Sequence, residues 1–312
     1  MKIINKITSL GSPTTVALGF FDGVHLGHQK VITSAINYAK ENDLKSVVLT
    51  FDKSPSIFLN LPEKELITEN QEKCELFEEL GVDATYLLPF EELIDFTPDD
   101  FIKKILIKTL NVKHIFCGFN YRFGKDGKGT CEDLARICNE CGIELTIVAP
   151  VSYDGEIISS SRIRLALEKG DIISANAMLG HPAAIDARVN TGRKLGKRLG
   201  FPTVNQNLSK SHVLPLFGVY ASVLVYKDKK YPAITNIGIK PTVGADGPVA
   251  ETWAFDVDLG SLYNKRVLVQ LIDFVRMEKK FSSLDELKAN VLSDAENVKK
   301  MFKENYYHYI GD

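Results

Sequence analysis

The first half of the chain alternates short apolar runs, rich in β-branched residues, with longer amphipathic segments. The runs predict strands at residues 16–20, 46–51, 84–88, 112–117 and 145–149, and the segments predict helices at 28–41, 69–80, 98–109 and 131–141. Strands that are apolar along their length and alternate with helices are typical of a parallel sheet covered on both faces. Ligands of such folds bind beyond the carboxyl ends of the strands.

The pattern changes near residue 182. Two further helices are predicted at 161–169 and 172–179, and then Gly180-His181-Pro182 interrupts the pattern. This break predicts a domain boundary, with domains at 1–182 and 183–312. Beyond it, β-rich runs at 219–226, 233–237, 252–257 and 266–274 are separated by Gly, Pro and Asp turns, which indicates an antiparallel barrel or sandwich. An amphipathic helix is predicted at 283–302, with Ser283 as its cap and Glu286 three residues later.

Length and composition support two globular domains. The chain has 312 residues, of which 45% are hydrophobic and 25% are charged. A formal net charge of −2 argues against a general nucleic-acid or membrane-surface protein, although the first half is net acidic and the second half net basic. No apolar run is long enough to span a bilayer, and the first residues lack the pattern of a secretory signal, so we expect a cytoplasmic protein.

The cysteines do not predict a metal or disulfide site. All five lie in the first half: Cys74, Cys117, Cys131, Cys138 and Cys141. An odd number without an export signal argues against a disulfide framework. Cys138 and Cys141 form a single C-x-x-C at the end of a predicted helix, and no second pair completes a zinc site. We expect buried or partly buried thiols.

A glycine-rich segment joins the first predicted strand of this half to its first helix. It reads Gly19-Phe-Phe-Asp-Gly-Val-His-Leu-Gly-His28. Glycines let a phosphate approach the backbone, and the amides of a helix N-terminus bind anions. His25 and His28 are three residues apart and can face the same way, where they could stabilise charge at an α-phosphate during nucleotidyl transfer. Zinc binding by this pair is disfavoured because no third ligand has a suitable spacing. The candidate residues of this segment are Gly19, Phe20, Asp22, Gly23, His25, Gly27 and His28.

Two weaker motifs follow in the first half. Ile158-Ser-Ser-Ser-Arg-Ile-Arg164 opens a helix with hydroxyl and guanidinium groups that suit β- and γ-phosphates, although a serine at a helix cap is common. Cys117-Gly-Phe-Asn-Tyr-Arg-Phe-Gly124 follows a strand and offers Asn120 and aromatic rings to a planar ligand. An ordinary turn with core aromatics explains this composition equally well.

In order and spacing, these motifs resemble the FMN adenylyltransferase domain of bacterial bifunctional riboflavin kinase/FAD synthetases, which belongs to the nucleotidyltransferase superfamily. The resemblance implies a Rossmann-like parallel sheet and transfer of AMP from ATP to FMN, giving FAD and pyrophosphate. It implies that His25 and His28 lie at the phosphates. One departure is Thr50-Phe-Asp-Lys-Ser-Pro55, where the family usually has T-F-D-P-H-P. The other implied residues are Ser160, Ser161, Arg162 and Arg164 on the triphosphate, and Phe51, Asp52, Asn120 and Phe123 on the flavin side.

The second half has its own candidate phosphate site. Gly192-Arg-Lys-Leu-Gly-Lys-Arg-Leu-Gly-Phe-Pro-Thr-Val-Asn205 is not a Walker A motif, because its glycine spacing and the residue after Lys197 are wrong. Thr203 and Asn205 lie two apart on an extended segment, and their oxygens could hold Mg²⁺ and phosphates. Glu251 begins a strand, where a carboxylate could deprotonate a hydroxyl that attacks a γ-phosphate. A basic surface loop and an ordinary strand-edge glutamate are the alternative interpretations.

These motifs occur in the order of the riboflavin kinase domain of the same family, together with Gly218-Val-Tyr-Ala, Asn236 to Val243, Leu262-Tyr263 and Arg276-x-Glu-x-x-Phe281. The resemblance implies a six-stranded Greek-key barrel with a terminal helix, and Mg²⁺-dependent phosphorylation of riboflavin by ATP to FMN and ADP. It implies Thr203 and Asn205 on the metal and Glu251 as the base. Departures are Trp253 in place of His, Asn264 in place of Gly and Ala187 in place of Gly. The other implied residues are Gly192, Lys197 and Gly200 at the phosphates, and Trp253 and Arg276 at the flavin.

The favoured hypothesis is a bifunctional enzyme acting on ATP, riboflavin and FMN without nucleic-acid or membrane partners. The alternative is an FMN adenylyltransferase whose kinase domain is weakened by the departures. A class I aminoacyl-tRNA synthetase, suggested by His-Leu-Gly-His, fails because its K-M-S-K-S motif is absent. A noncatalytic RNA- or flavin-binding barrel is disfavoured because the basic residues are dispersed. The pattern makes no prediction of oligomeric state.

Overall fold

A parallel sheet of six strands organises the first part of the chain, with strand order β1-β4-β3-β2-β5-β6. The computed structural model describes residues 1–58, 62, 64–192, 195–209, 211–240 and 247–311. The strands of the sheet are β1 (Lys2–Ile4), β2 (Thr14–Leu18), β3 (Lys45–Phe51), β4 (Ala84–Leu88), β5 (Val112–Gly118) and β6 (Glu144–Val148). The helices are α1 (Leu26–Glu41), α2 (Pro55–Phe58), α3 (Asn70–Leu80), α4 (Pro98–Asp100), which continues as a π-helical segment Phe101–Thr109, and α5 (Cys131–Cys141). The predicted parallel α/β architecture is confirmed, and β1 is a strand that the pattern did not predict.

Alternating residues of the central strands pack into two separate hydrophobic cores, one on each face of the sheet. Val16 and Leu18 of β2 pack in one hydrophobic cluster with helical residues such as Leu134, whereas Ala17 packs in the other with helical residues such as Ile32. Both faces of the sheet are therefore covered by helices, and this is why the strands are apolar throughout. The loops at the carboxyl ends of β2 and β3 lie at the edge where ligands of such sheets bind.

The second part of the chain contains a closed antiparallel barrel with strand order β10-β13-β12-β11-β14-β9. A short hairpin, β7 (Ser152–Tyr153) and β8 (Glu156–Ile157), and the helices α6 (Ser160–Glu168) and α7 (Ile172–Leu179) precede it. The barrel elements are β9 (Ala184–Asn190), α8 (Leu195–Leu199), β10 (Val204–Asn207), β11 (Gly218–Tyr226), β12 (Lys229–Lys240), β13 (Gly247–Ala254) and β14 (Arg266–Met277). The six-stranded barrel implied by the resemblance is confirmed.

The terminal helix, α9 (Leu284–Met301), forms where it was predicted. The Ser283 hydroxyl accepts a hydrogen bond from the Glu286 amide at 3.1 Å, and the Glu286 carboxylate accepts one from the Ser282 amide at 2.7 Å. These bonds satisfy amides that a helix start leaves unpaired. Ala295 and Val298 of α9 pack in a cluster with barrel residues, so the helix covers part of the outer face of the barrel.

The chain divides into two compact units, one comprising Met1–Lys64 and Thr68–Ser160 and the other Glu65–Ile67 and Ser161–Asp312. Helix α7 belongs to the second unit, where the Asn176 amide group donates to Leu271 O and its carbonyl accepts from the Ala183 amide. The limits 1–182 and 183–312 for the two activities stay a prediction.

The cysteines are free thiols, and all except the partly buried Cys141 are buried. Burial raises the pKa of Cys117 to about 12 and that of Cys138 to about 11, so both stay protonated at neutral pH. Across the described residues, no group of three or more His, Cys, Asp and Glu side chains could hold a metal ion. Within the same residues, no helix is long and apolar enough to cross a membrane.

Candidate functional sites

The glycine-rich segment forms the turn between β2 and α1, and its two histidines lie together. His25 is the N-cap of α1, and its Nδ1 accepts a hydrogen bond from the His28 amide at 3.3 Å. The two imidazoles stack with their centroids 3.5 Å apart and an angle of 18° between the planes. The three-residue spacing therefore places both rings on one side of the turn, at a helix N-terminus that suits an anion.

The turn has a conformation that depends on close backbone packing. Phe21 and Val24 have positive φ angles of 57° and 40°, which residues other than glycine rarely adopt. A Cβ on Gly19 would lie only 2.7 Å from the Phe21 ring. The Asp22 carbonyl accepts a hydrogen bond from the Ser160 hydroxyl at 3.0 Å, and the Asp22 carboxylate accepts one from the Thr68 amide at 3.3 Å. Asp22 and Ser160 thus stabilise the turn itself.

His28 is neutral at pH 7. Burial lowers the pKa of His28 well below its usual value, and the nearby His25 and Lys73 lower it further. Its buried Nδ1 has no hydrogen-bond partner among the described residues. A buried polar atom without a partner is uncommon, so Nδ1 of His28 is a candidate ligand contact.

Lys73, on α3, is a residue of this site that the sequence analysis missed. It is only 2% exposed, and its ammonium group donates to Phe20 O at 3.4 Å and to Phe51 O at 3.2 Å. Burial lowers the pKa of Lys73 to about 8. Lys73 lies four residues before the buried Phe77 on the apolar face of the helix, and a lysine on that face was the signal that could have revealed it.

The predicted flavin-side residues differ in accessibility. Phe51 ends β3 and packs edge-to-face on Phe90 with centroids 4.9 Å apart. The buried Oδ1 of Asp52 has no hydrogen-bond partner in the described part of the chain. Asn120 is exposed after β5, whereas Phe123 is buried in the core. Asn120 is therefore accessible to a ligand, and a flavin contact for Phe123 stays a prediction.

The remaining predicted triphosphate residues lie on α6 in the second unit. Ser161 is exposed, and Arg162 and Arg164 are partly buried. The Arg164 Nε donates to Glu65 O at 2.6 Å. Their contact with a triphosphate stays a prediction.

In the second unit, a cavity of about 350 Å³ brings together the residues predicted for the kinase site. Thr203, Asn205, Glu251, Trp253 and Arg276 all line it. Asn205 on β10 pairs with Glu251 on β13 in the sheet register, so this candidate metal ligand and the candidate base lie on adjacent strands. Thr203 directly precedes β10.

Two glycines permit the close packing of this loop. A Cβ on Gly192 would lie 2.7 Å from the Asn205 side chain, and one on Gly196 would lie 2.5 Å from Phe201 O. The Asn205 Nδ2 donates to the Thr203 Oγ1 at 3.4 Å, so the two side chains converge. A hydroxyl and an amide oxygen are ligands that suit Mg²⁺, which usually takes few protein ligands and completes its shell with water and phosphate. The residues present therefore fit this ion.

Trp253 and Arg276 contribute differently to the cavity wall. Trp253 lies 5.8 Å from Phe201 and 5.4 Å from Phe255, measured between ring centroids, and lines the same cavity as Glu251 two residues earlier. Strand alternation explains this shared face. The Arg276 guanidinium donates to the Asp294 carboxylate from Nε at 3.0 Å and from Nη2 at 2.6 Å, and so ties β14 to α9.

Two other positions quoted for this half, Gly200 and Asn264, have positive φ angles. Gly200 has a φ of 97°, a conformation that glycine tolerates best. Asn264, which replaces a usual glycine, has a φ of 60°, and asparagine is the common substitute in this left-handed conformation. The side chain of Lys197 and residues 241–243 lie outside the described residues. Asp294 and Glu278 also line the cavity. No motif pointed to Asp294, and Glu278 was quoted only as the glutamate of Arg276-x-Glu-x-x-Phe281.

Two protein-family models match this chain. The FAD synthetase model matches residues 8–162 and the riboflavin kinase model matches residues 179–302. The chain is 36% identical to a bifunctional riboflavin kinase/FMN adenylyltransferase of Bacillus subtilis (strain 168), covering 93% of this chain and 92% of the relative. It is 33% identical to the protein of the same name from Escherichia coli (strain K12), covering 97% and 98%. A solved structure described as a macrolide-efflux protein from Streptococcus pneumoniae matches with a TM-score of 0.85 and 32% identity, covering 96% of this chain and 99% of that one.

Proposed function

This chain belongs to the family of bifunctional riboflavin kinase/FMN adenylyltransferases, and from that premise we propose how its residues divide the work between two sites. The chain carries both a riboflavin kinase domain and an FAD synthetase domain, so it converts riboflavin to FMN and FMN to FAD. Nothing in the comparisons supports the alternative of a weakened kinase. We place both reactions in the cytoplasm.

The observation that carries the kinase assignment is the convergence of Thr203, Asn205 and Glu251 on one cavity. Glu251 accepts the proton of the riboflavin 5′-hydroxyl, whose oxygen attacks the γ-phosphorus of ATP in line with the departing ADP. Thr203 Oγ1 and Asn205 Oδ1 would hold Mg²⁺, which when bound neutralises charge on the phosphates. Protein groups are needed here mainly to position the reactants.

Trp253 forms the flavin side of this cavity in our proposal. Its indole is flanked by Phe201 and Phe255, so its ring is held in place by other aromatic side chains. A fixed indole provides a flat apolar surface for the isoalloxazine ring. Arg276 acts through its pair with Asp294, which holds α9 against the cavity.

Adenylyl transfer takes place at the turn between β2 and α1. A phosphate oxygen of FMN attacks the α-phosphorus of ATP, and pyrophosphate departs. The Nδ1 of His25 accepts a hydrogen bond from the His28 amide, so a neutral His25 carries its proton on Nε2 and can donate it to a phosphate oxygen. The neutral His28 and the positive end of the α1 dipole add further stabilisation of the phosphate charge.

Two substitutions test this division. We expect Glu251→Ala to abolish FMN formation from riboflavin and to spare conversion of supplied FMN to FAD. We expect His28→Ala to do the reverse. Separation of the flavins by chromatography measures both reactions in each variant. If either substitution stopped both reactions in a folded protein, the two-site assignment would be contradicted.

A further inference from the structure

One face of α3 holds the carboxyl ends of two strands of the parallel sheet. Asn70 and Lys73 are three residues apart and therefore project from the same side of the helix. The Asn70 amide group donates to Asp52 O at 2.6 Å, and the Lys73 ammonium donates to Phe51 O and Phe20 O. Just before the helix, the Thr68 hydroxyl accepts from the Gly23 amide at 3.1 Å. This segment thus contacts both the glycine-rich turn and the flavin-side loop.

Lys73 is the costly member of this segment. It is almost fully buried, and the nearby carboxylates of Asp22 and Asp52 favour its charged form. Its charge is solvated by two carbonyl oxygens and by the Phe20 ring, whose centroid is 4.6 Å away. An apolar side chain would fill an interface between helix and sheet at a lower desolvation cost. Packing alone therefore does not explain a lysine here.

We propose that Lys73 is a positioning residue for adenylyl transfer, whose protonated ammonium group fixes the glycine-rich turn and the flavin-side loop relative to each other. The Phe20 carbonyl opens the turn that carries His25 and His28, and the Phe51 carbonyl precedes Asp52. The Lys73 ammonium group therefore contacts both the glycine-rich turn and the flavin-side loop. This inference rests on the proposed function of that turn.

The proposal predicts an alkaline limit to FAD formation. Burial lowers the pKa of Lys73 to about 8, while the carboxylates of Asp22 and Asp52 oppose this shift. The Lys73 side chain is therefore charged below about pH 8 and neutral above it. Burial raises the pKa of Cys74 and lowers that of His28, so neither of these two neighbours titrates near pH 8. Activity that needs the ammonium must fall as the pH rises through about 8.

The test measures kcat/KM for FMN-to-FAD conversion between pH 7 and 9.5 in the wild-type protein, Lys73→Met and Lys73→Arg. Lys113→Met is the matched control, because Lys113 is exposed on β5. At pH 7, loss of a charge-assisted hydrogen bond predicts a decrease of about tenfold to a hundredfold in Lys73→Met and no change in Lys113→Met. The arginine variant stays charged throughout this pH range, so we expect its activity not to decline above pH 8.

The riboflavin kinase reaction of the same samples controls for ionisation of ATP and is expected to be unchanged in all variants. A wild-type profile that is flat from pH 7 to 9.5 overturns the proposal even if neither variant folds. A folded Lys73→Met protein with wild-type activity, or an alkaline decline that persists in a folded variant, also overturns it. Wild-type protein that makes no FAD from FMN would instead refute the proposed function.

Discussion

Gly192→Ala tests whether the loop before β10 positions the proposed metal ligand. The added Cβ would lie 2.7 Å from the Asn205 side chain, whereas ordinary contacts begin at 3.4 Å. Asn205 or the loop must therefore move by about 0.7 Å. Because a misplacement of about 1 Å in a catalytic constellation costs about a hundredfold in rate, we expect riboflavin phosphorylation to fall about tenfold to a hundredfold.

The assay is initial-rate formation of FMN from riboflavin, with conversion of supplied FMN to FAD measured in parallel. Gly247→Ala is a matched control in the same barrel, because a Cβ at Gly247 meets no atom of the described residues within 4 Å. We expect the control to keep both activities and Gly192→Ala to lose only the first. Kinase activity of Gly192→Ala within twofold of wild type would refute the argument that this close approach positions Asn205.

Three further predictions follow from the two sites. Trp253 is the only tryptophan of the chain, so riboflavin should quench the intrinsic tryptophan fluorescence in a saturable titration; an unchanged emission at saturating riboflavin would refute the flavin contact. Removal of Mg²⁺ by a chelator should abolish riboflavin phosphorylation, and added Mg²⁺ should restore it; activity that persists in excess chelator would contradict the role of Thr203 and Asn205. Because burial lowers the pKa of His28, this ring stays neutral down to pH values below its usual 6.5, so FAD formation should lose no activity to His28 protonation between pH 7.5 and 6.5. A decline over that interval that disappears in His28→Gln would show that His28 is protonated there.

The sequence predicted those parts of the fold whose hydrophobic pattern is local. The helices and central strands of the first half are apolar on faces that periodicity identifies, and Ser283 with Glu286 forms the predicted cap. Strand β9 was missed because Asp186 and Arg188 interrupt its apolar residues, and β10 because it has only four residues after Pro202. Their pairing with β14 and β13 is set by closure of the barrel, which no local pattern encodes.

The sites show the same division between local and long-range information. His25 and His28 stack because they are three residues apart at a helix start, which the sequence shows directly. Lys73 reaches the same turn only because α3 packs against the ends of β2 and β3. In the same way, the ion pair of Arg276 with Asp294 joins a strand to the terminal helix. Contacts between distant segments depend on the packing of whole elements, and motif spacing does not contain them.

The central claim is that one chain holds two working sites that act in succession. The direct test incubates the purified protein with riboflavin, ATP and Mg²⁺ and follows the flavins by chromatography over time. We predict that FMN appears first and that FAD accumulates afterwards as FMN is consumed. If no product forms from riboflavin while supplied FMN is still converted to FAD, the claim of two activities is contradicted.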